Sequence, residues 1–217
     1  MRDKIIEAVK KNKLIVIVRG VYDVQILKLA EALYAGGICM MEITFDQNNK
    51  DNWSRTTEAI HLLSEAMSGK LYIGAGTVTS VELTELAAKA GARFIISPDC
   101  RPDVIRRTLE LDMVSMPGCL TSTEITTAHM AGADFVKIFP AAQLGPGYIK
   151  AIRSPLNNID FLAVGGVNEK NAADFMKAGC VGLGVGGNLV NKEWINHDEW
   201  DKITSLSQEF IKAVNEA

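Results

Sequence analysis

The stretch Ala131-Gly132-Ala133-Asp134-Phe135-Val136-Lys137-Ile138-Phe139-Pro140 holds one whole repeat of this chain: a helix end marked by Ala-Gly, then a short apolar run that reads as a buried parallel strand. The same Ala-Gly phrase stands at 35–36, 90–91 and 178–179, each time just ahead of another apolar run. Glycine at that place supplies the left-handed cap with which helices commonly end. A phrase recurring in this way is the signature of βα units around a parallel sheet.

Working outward, eight apolar runs read as strands, at residues 14–18, 39–44, 71–75, 94–97, 113–116, 135–139, 160–164 and 181–185. Amphipathic segments between them predict helices at 23–35, 53–67, 80–90, 102–110, 122–131, 146–153, 169–178 and 198–215, with Ser80, Ser122 and Asn168 as candidate N-caps. Ile5, Ile6 and Val9 stand at helical spacing within residues 1–13, which predicts an additional N-terminal helix. No Pro-rich linker divides the chain. The expectation is an α/β fold, one (β/α)8 TIM barrel with an N-terminal helix, forming a single domain over residues 1–217.

Of 217 residues, 47% are hydrophobic, enough for a continuous core. Twenty-three basic residues against 26 acidic ones give a net charge of -3 without basic clusters, so neither nucleic acid nor an anionic membrane is an expected partner. Cys39, Cys100, Cys119 and Cys180 form no Cys-x-x-Cys pair, and no histidine is spaced for zinc, so no metal site is expected. The N-terminus lacks the apolar core of a signal peptide, which with the free thiols leads to an expected cytoplasmic location. His61, His129 and His197 fall away from the strand ends and are assigned no chemistry.

A barrel demands that active-site groups come from the C-terminal ends of different strands. Lys137 sits inside an apolar strand, where burial disfavours the ammonium and frees a nucleophilic amine for Schiff-base chemistry; the plain alternative is a lysine that snorkels to solvent. Glu42 lies inside another apolar strand, placed for proton transfer or for a structural ion pair with that lysine. Thr77 ends the small-residue run Gly74-Ala75-Gly76, where backbone can approach a ligand; its hydroxyl fits a substrate carboxylate or a helix cap equally well. Gly165-Gly166 and Gly184-Val185-Gly186-Gly187-Asn188 close the last two strands, where backbone N–H groups commonly meet phosphate, although glycines also serve tight packing. Arg19 ends the first strand and suits either an anionic substrate group or a rim salt bridge.

Taken together, Glu42-Ile43-Thr44, Gly74-Ala75-Gly76-Thr77-Val78, Ser97-Pro98, Met116-Pro117-Gly118, Val136-Lys137-Ile138-Phe139-Pro140 and Val164-Gly165-Gly166-Val167 resemble the 2-keto-3-deoxy-6-phosphogluconate / 4-hydroxy-2-oxoglutarate aldolase family. The resemblance implies a class I, metal-free and cofactor-free carbon–carbon lyase on a TIM barrel, usually a homotrimer. Its small-molecule partner would be a keto-acid sugar phosphate, cleaved to pyruvate plus glyceraldehyde 3-phosphate, with glyoxylate as the other product from 4-hydroxy-2-oxoglutarate. By the same resemblance Lys137 forms the Schiff base, Glu42 is the general acid/base, and Thr77 contacts the carboxylate. The glycine pairs 165–166 and 186–187 hold the phosphate. Arg19, Pro98, Phe139, Val164 and Asn188 complete the substrate-binding set.

Three positions depart from the pattern. Asp46 stands where many members carry arginine, which leaves Arg19 to supply the charge, and Asn188 replaces a usual serine. Val164 resembles the valine of the 6-phosphogalactonate branch, as do Lys137-Ile138-Phe139-Pro140, Gly145-Pro146 and Pro117-Gly118-Cys119, whereas Thr44-Phe45 resembles the gluconate group. Two readings of another class compete: a sugar-phosphate isomerase or epimerase, which needs no buried lysine, and a non-catalytic sugar-phosphate-binding barrel.

Overall fold

The apolar runs form the strands of a barrel in the computed structural model, which describes residues 1–217. In chain order the elements are α1 (Arg2–Asn12), β1 (Leu14–Val18), α2 (Asp23–Ala35), β2 (Met40–Thr44), α3 (Asn52–Ala66), β3 (Tyr72–Gly76), α4 (Val81–Lys89), β4 (Phe94–Ile96), α5 (Pro102–Glu110) and β5 (Val114–Met116). They continue with β6 (Gly118–Cys119), α6 (Ser122–Met130), β7 (Val136–Ile138), α7 (Ala141–Arg153), β8 (Phe161–Val164), α8 (Ala172–Lys177), β9 (Gly182–Val185), α9 (Lys192–Asn196) and α10 (Trp200–Asn215). All paired neighbours are parallel, in the order β5-β4-β3-β2-β1-β9-β8-β7-β6.

The expected eight strands become nine because Pro117 interrupts the fifth unit. Proline has no N–H to give to a ladder, so β5 pairs with β4 before the break and β6 pairs with β7 after it. Backbone bonds carry the closure across this seam: Phe135 N donates to Ser115 O, Lys137 N to Pro117 O at 2.9 Å, and Phe139 N to Cys119 O at 3.1 Å.

Two apolar layers result. Fifty-two buried residues form the layer between strands and helices, and 12 fill the lumen, among them Ile15, Met40, Phe94, Met116, Phe135 and Val164. Ile5, Ala8 and Val9 of α1 belong to the lumen cluster, so the N-terminal helix plugs the barrel floor. It is tied there by Arg2, whose Nη2 lies 2.6 Å from Oδ1 of Asp134. The Asp134 Oδ2 accepts Ser115 N at 2.9 Å, so one carboxylate joins α1 to the closing seam.

Period-2 alternation along the strands sets the direction of the polar residues. Met40 and Phe135 point into the lumen, so Glu42 and Lys137, two positions further along, point the same way and nearer the C-terminal rim. The cup of the barrel is thereby assembled from strand phase alone.

Several local expectations shift. Thr121 rather than Ser122 caps α6, because Thr121 and Glu124 form a reciprocal capping box. Asn171 rather than Asn168 precedes α8; the Asn168 Oδ1 accepts the N–H groups of Lys170 and Asn171 and holds a turn before the helix. Ser80 caps α4 as expected, accepting Leu83 N. The helix expected at 146–153, α7, begins at Ala141, since Ala141 to Leu144 are already helical ahead of a break at Gly145 (φ 77°, ψ 166°). The short helix α9, between the last strand and α10, was not foreseen.

Candidate active site

Lys137 is 7% exposed and Glu42 2%, both within the upper lumen. Burial is the main influence on each. It lowers the Lys137 pKa below 10.5, against the attraction of Glu42 and with the repulsion of Arg19. It raises the Glu42 carboxyl from 4.5 to about 7, with Lys137 and Arg19 pulling it back. The pair is thereby moved toward the neutral amine and the protonated acid, the states from which nucleophilic attack and proton donation begin.

These two groups do not close into a structural ion pair. The Glu42 Oε2 is buried without a hydrogen-bond partner, an unsatisfied acceptor held at the wall of a cavity. The ring of Phe139 covers the amine, with Nζ 4.8 Å from its centroid. Snorkelling is equally absent, since the lysine points inward under that ring.

The small residues of β3 make room for the carboxylate. A Cβ built on Gly76 would stand 2.4 Å from Oε2 of Glu42, and one on Gly74 would strike the Phe94 ring at 2.3 Å. The sequence reading expected this run to admit a ligand. Its space is filled by the protein's own side chains, and Gly76 in particular exists for Glu42.

Thr77 follows with φ 57°, a left-handed conformation that costs a branched residue about 1–3 kcal/mol. It is not the helix cap, which Ser80 provides. The Gln47 Nε2 donates to Thr77 O at 2.9 Å while its Oε1 accepts Thr79 Oγ1 at 2.7 Å, a two-point clamp across the turn from Thr77 to Thr79. Arg19 Nη2 donates to Thr77 Oγ1 at 3.4 Å and makes no salt bridge. Asp46, at the departure from the family pattern, is turned to its own loop: Asn48 N and Asn52 Nδ2 both donate to its carboxylate at 2.9 Å, and Trp53 Nε1 donates to its carbonyl.

Lys137, Glu42, Phe139, Thr77 and Arg19 line one cavity of about 630 Å³ at the C-terminal mouth of the barrel. The cavity contains every residue of the expected catalytic and substrate-binding set: Lys137, Glu42, Arg19, Thr77, Pro98, Phe139, Val164, Gly165, Gly166, Gly186, Gly187 and Asn188. Gly165 and Gly166 both have positive φ, 93° and 74°, and a Cβ on Gly165 would meet the Phe139 ring at 2.9 Å. Neither constraint applies to the second pair, because a Cβ on Gly186 meets nothing closer than 3.7 Å and one on Gly187 meets nothing within 4 Å. Those two glycines leave volume that the protein does not use.

The same lining holds Gly184 of the last glycine loop, and also Ile17, Val167, Asn168, Val190 and Lys192, which the sequence reading did not assign to the site. Strand phase could have found Ile17, which points into the lumen. Lys192 carried no signal, since it depends on the unforeseen α9. No group of three or more His, Cys, Asp or Glu is arranged to hold a metal ion, none of the four cysteines is bridged, and no helix is long and apolar enough to cross a membrane.

Comparison with known proteins places this geometry. A family profile described as KDPG and KHG aldolase matches residues 5–206. The chain is 36% identical over 208 residues to a 2-dehydro-3-deoxy-6-phosphogalactonate aldolase of Escherichia coli (strain K12), covering 95% of this chain and 97% of that one. It is 34% identical over 192 residues to a 2-dehydro-3-deoxy-phosphogluconate aldolase of Pseudomonas aeruginosa, covering 88% and 84%. Among solved structures it matches the KDPG aldolase from Legionella pneumophila with TM-score 0.83 and 29% identity over 94% of this chain and 96% of that one; there, pyruvate was captured at low pH as a covalent carbinolamine intermediate. By sequence along nearly its whole length and by fold, this chain belongs to the KDPG and KHG aldolase family, whose members are carbon–carbon lyases.

Proposed function

We propose that the chain cleaves 2-keto-3-deoxy-6-phosphogluconate to pyruvate and glyceraldehyde 3-phosphate, and 4-hydroxy-2-oxoglutarate to pyruvate and glyoxylate, through a Schiff base on Lys137. The observation that carries this reading is a buried lysine amine facing the same cavity as a buried Glu42 whose Oε2 has no hydrogen-bond partner. Nζ attacks the C2 ketone, giving a carbinolamine of the kind named for the Legionella pneumophila relative. Glu42 donates the proton with which the carbinolamine hydroxyl leaves as water. With the iminium as electron sink, the Glu42 carboxylate removes the C4 hydroxyl proton, directly or through a water. The C3–C4 bond then breaks, the aldehyde departs and its electron pair remains as an enamine. Protonation at C3 and hydrolysis release pyruvate and restore the amine.

In this reading Arg19 and Thr77 hold the substrate carboxylate, and the backbone of Gly165-Gly166 and Gly186-Gly187-Asn188 receives the phosphate. Pro98, Phe139 and Val164 form the apolar walls. The active assembly is a homotrimer, which sedimentation would test. Borohydride reduction with pyruvate, followed by peptide mass analysis, tests the chemistry: a stable adduct on Lys137 is expected. Failure to trap under conditions that trap a control aldolase would overturn the proposal.

Val164 favours a second reading for the C4 configuration. It lines the cavity with methyl groups and offers no hydroxyl to the substrate, and the Escherichia coli relative is named for the galactonate epimer. Side-by-side assays of the two phosphorylated epimers decide between them.

A further inference from the structure

We propose that Lys192 is a specificity residue that recognises the terminal phosphate of the substrate; this rests on the aldolase reading above. Lys192 lines the cavity, is exposed, and has no acidic partner and no hydrogen bond within the protein. Its Nζ lies 3.8 Å from where a Cβ on Gly20 would stand, beyond the end of β1 and one residue after Arg19.

The pairing of strands locates this amine. β9 runs beside β1 with Val185 opposite Val16, so the chain after β9, including Gly186-Gly187-Asn188, passes along the same edge of the cup as the residues following β1. Arg19, by contrast, leans away across β2 to reach Thr77 at the end of β3. The cavity therefore has two cations without acidic partners set toward different walls, Arg19 at Thr77 and Lys192 over Gly20, on the side where the chain after β9 passes. Like charges held in one cleft without a counter-ion favour a long occupant with an anionic group at each end, separated in the same way. A keto-acid with a carboxylate at one end and a phosphate at the other meets that demand, whereas pyruvate alone occupies only the Arg19 side.

The test compares the wild type with Lys192→Met, Lys192→Arg and Arg19→Met on 2-keto-3-deoxy-6-phosphogluconate, its galactonate epimer and unphosphorylated 4-hydroxy-2-oxoglutarate. A charged hydrogen bond to phosphate is worth about tenfold or more in binding. Lys192→Met should lower the ratio of kcat/KM for the phosphorylated over the unphosphorylated substrate about tenfold, mainly through KM, and Lys192→Arg should restore it. Inorganic phosphate, used as a competitive inhibitor of 4-hydroxy-2-oxoglutarate cleavage, should weaken by a similar factor in Lys192→Met. Arg19→Met should depress both substrate classes and leave the ratio in place. An unchanged ratio and unchanged phosphate inhibition in Lys192→Met, in a wild type that still traps pyruvate on Lys137, would overturn the role of Lys192 alone. A wild type that traps no pyruvate would overturn the underlying mechanism instead.

Discussion

Glu42→Gln keeps the shape of a buried side chain and removes its charge. In the folded protein the Glu42 carboxyl titrates at about 7, against 4.5 ordinarily, because burial outweighs the attraction of Lys137 and Arg19. Between those two values the folded chain retains a proton that the unfolded chain releases. The stabilisation is complete below pH 4.5 and disappears as pH rises through about 7, the sign for an acid whose pKa is raised on folding. Moving a carboxyl that far corresponds to about 3 kcal/mol. Glutamine has no proton to lose, so the stability of the variant relative to the wild type should rise by about 3 kcal/mol between about pH 4.5 and about pH 8. Lys137 titrates in both proteins and enters the difference only through its attraction to Glu42. Urea unfolding across this range, followed by tryptophan fluorescence, measures the effect, and turnover measured alongside should fall about 10²- to 10⁴-fold. A stability difference that stays flat with pH would refute the claim that the carboxyl is buried and holds its proton up to about pH 7.

Gly76→Ala places a methyl 2.4 Å from the Glu42 carboxylate and should lower kcat about 10²-fold while circular dichroism stays native. Gln47→Ala releases the clamp on Thr77 and should raise KM about tenfold for phosphorylated and unphosphorylated substrates alike, with Gln47→Glu recovering only the Thr79 bond. Arg2→Ala leaves the Asp134 carboxylate, 4% exposed, without its guanidinium and should lower the urea-unfolding free energy by about 2 kcal/mol with little change in kcat.

The repeat of Ala-Gly helix ends and apolar runs was enough to read the barrel, because a strand buried on both faces and a helix closed by glycine are each written in local residue types. The positions of Lys137 and Glu42 were legible for the same reason: a charge inside an apolar strand contradicts its surroundings and draws notice. Motif order along the chain added the family. Other features were beyond local reading. Pro117 divides a strand only because its two halves pair with different neighbours. Gly76 looked like space for a ligand until the fold laid the Glu42 side chain across it. Gln47 and Lys192 are ordinary polar residues in loops, and nothing in their local sequence distinguishes them. Thus sequence alone determined which elements form and which charges are out of place. Only the tertiary structure decided which groups meet, because the curvature of a closed sheet brings the ends of β1, β2, β3, β7 and β9 around one cavity at distances unrelated to their separation along the chain.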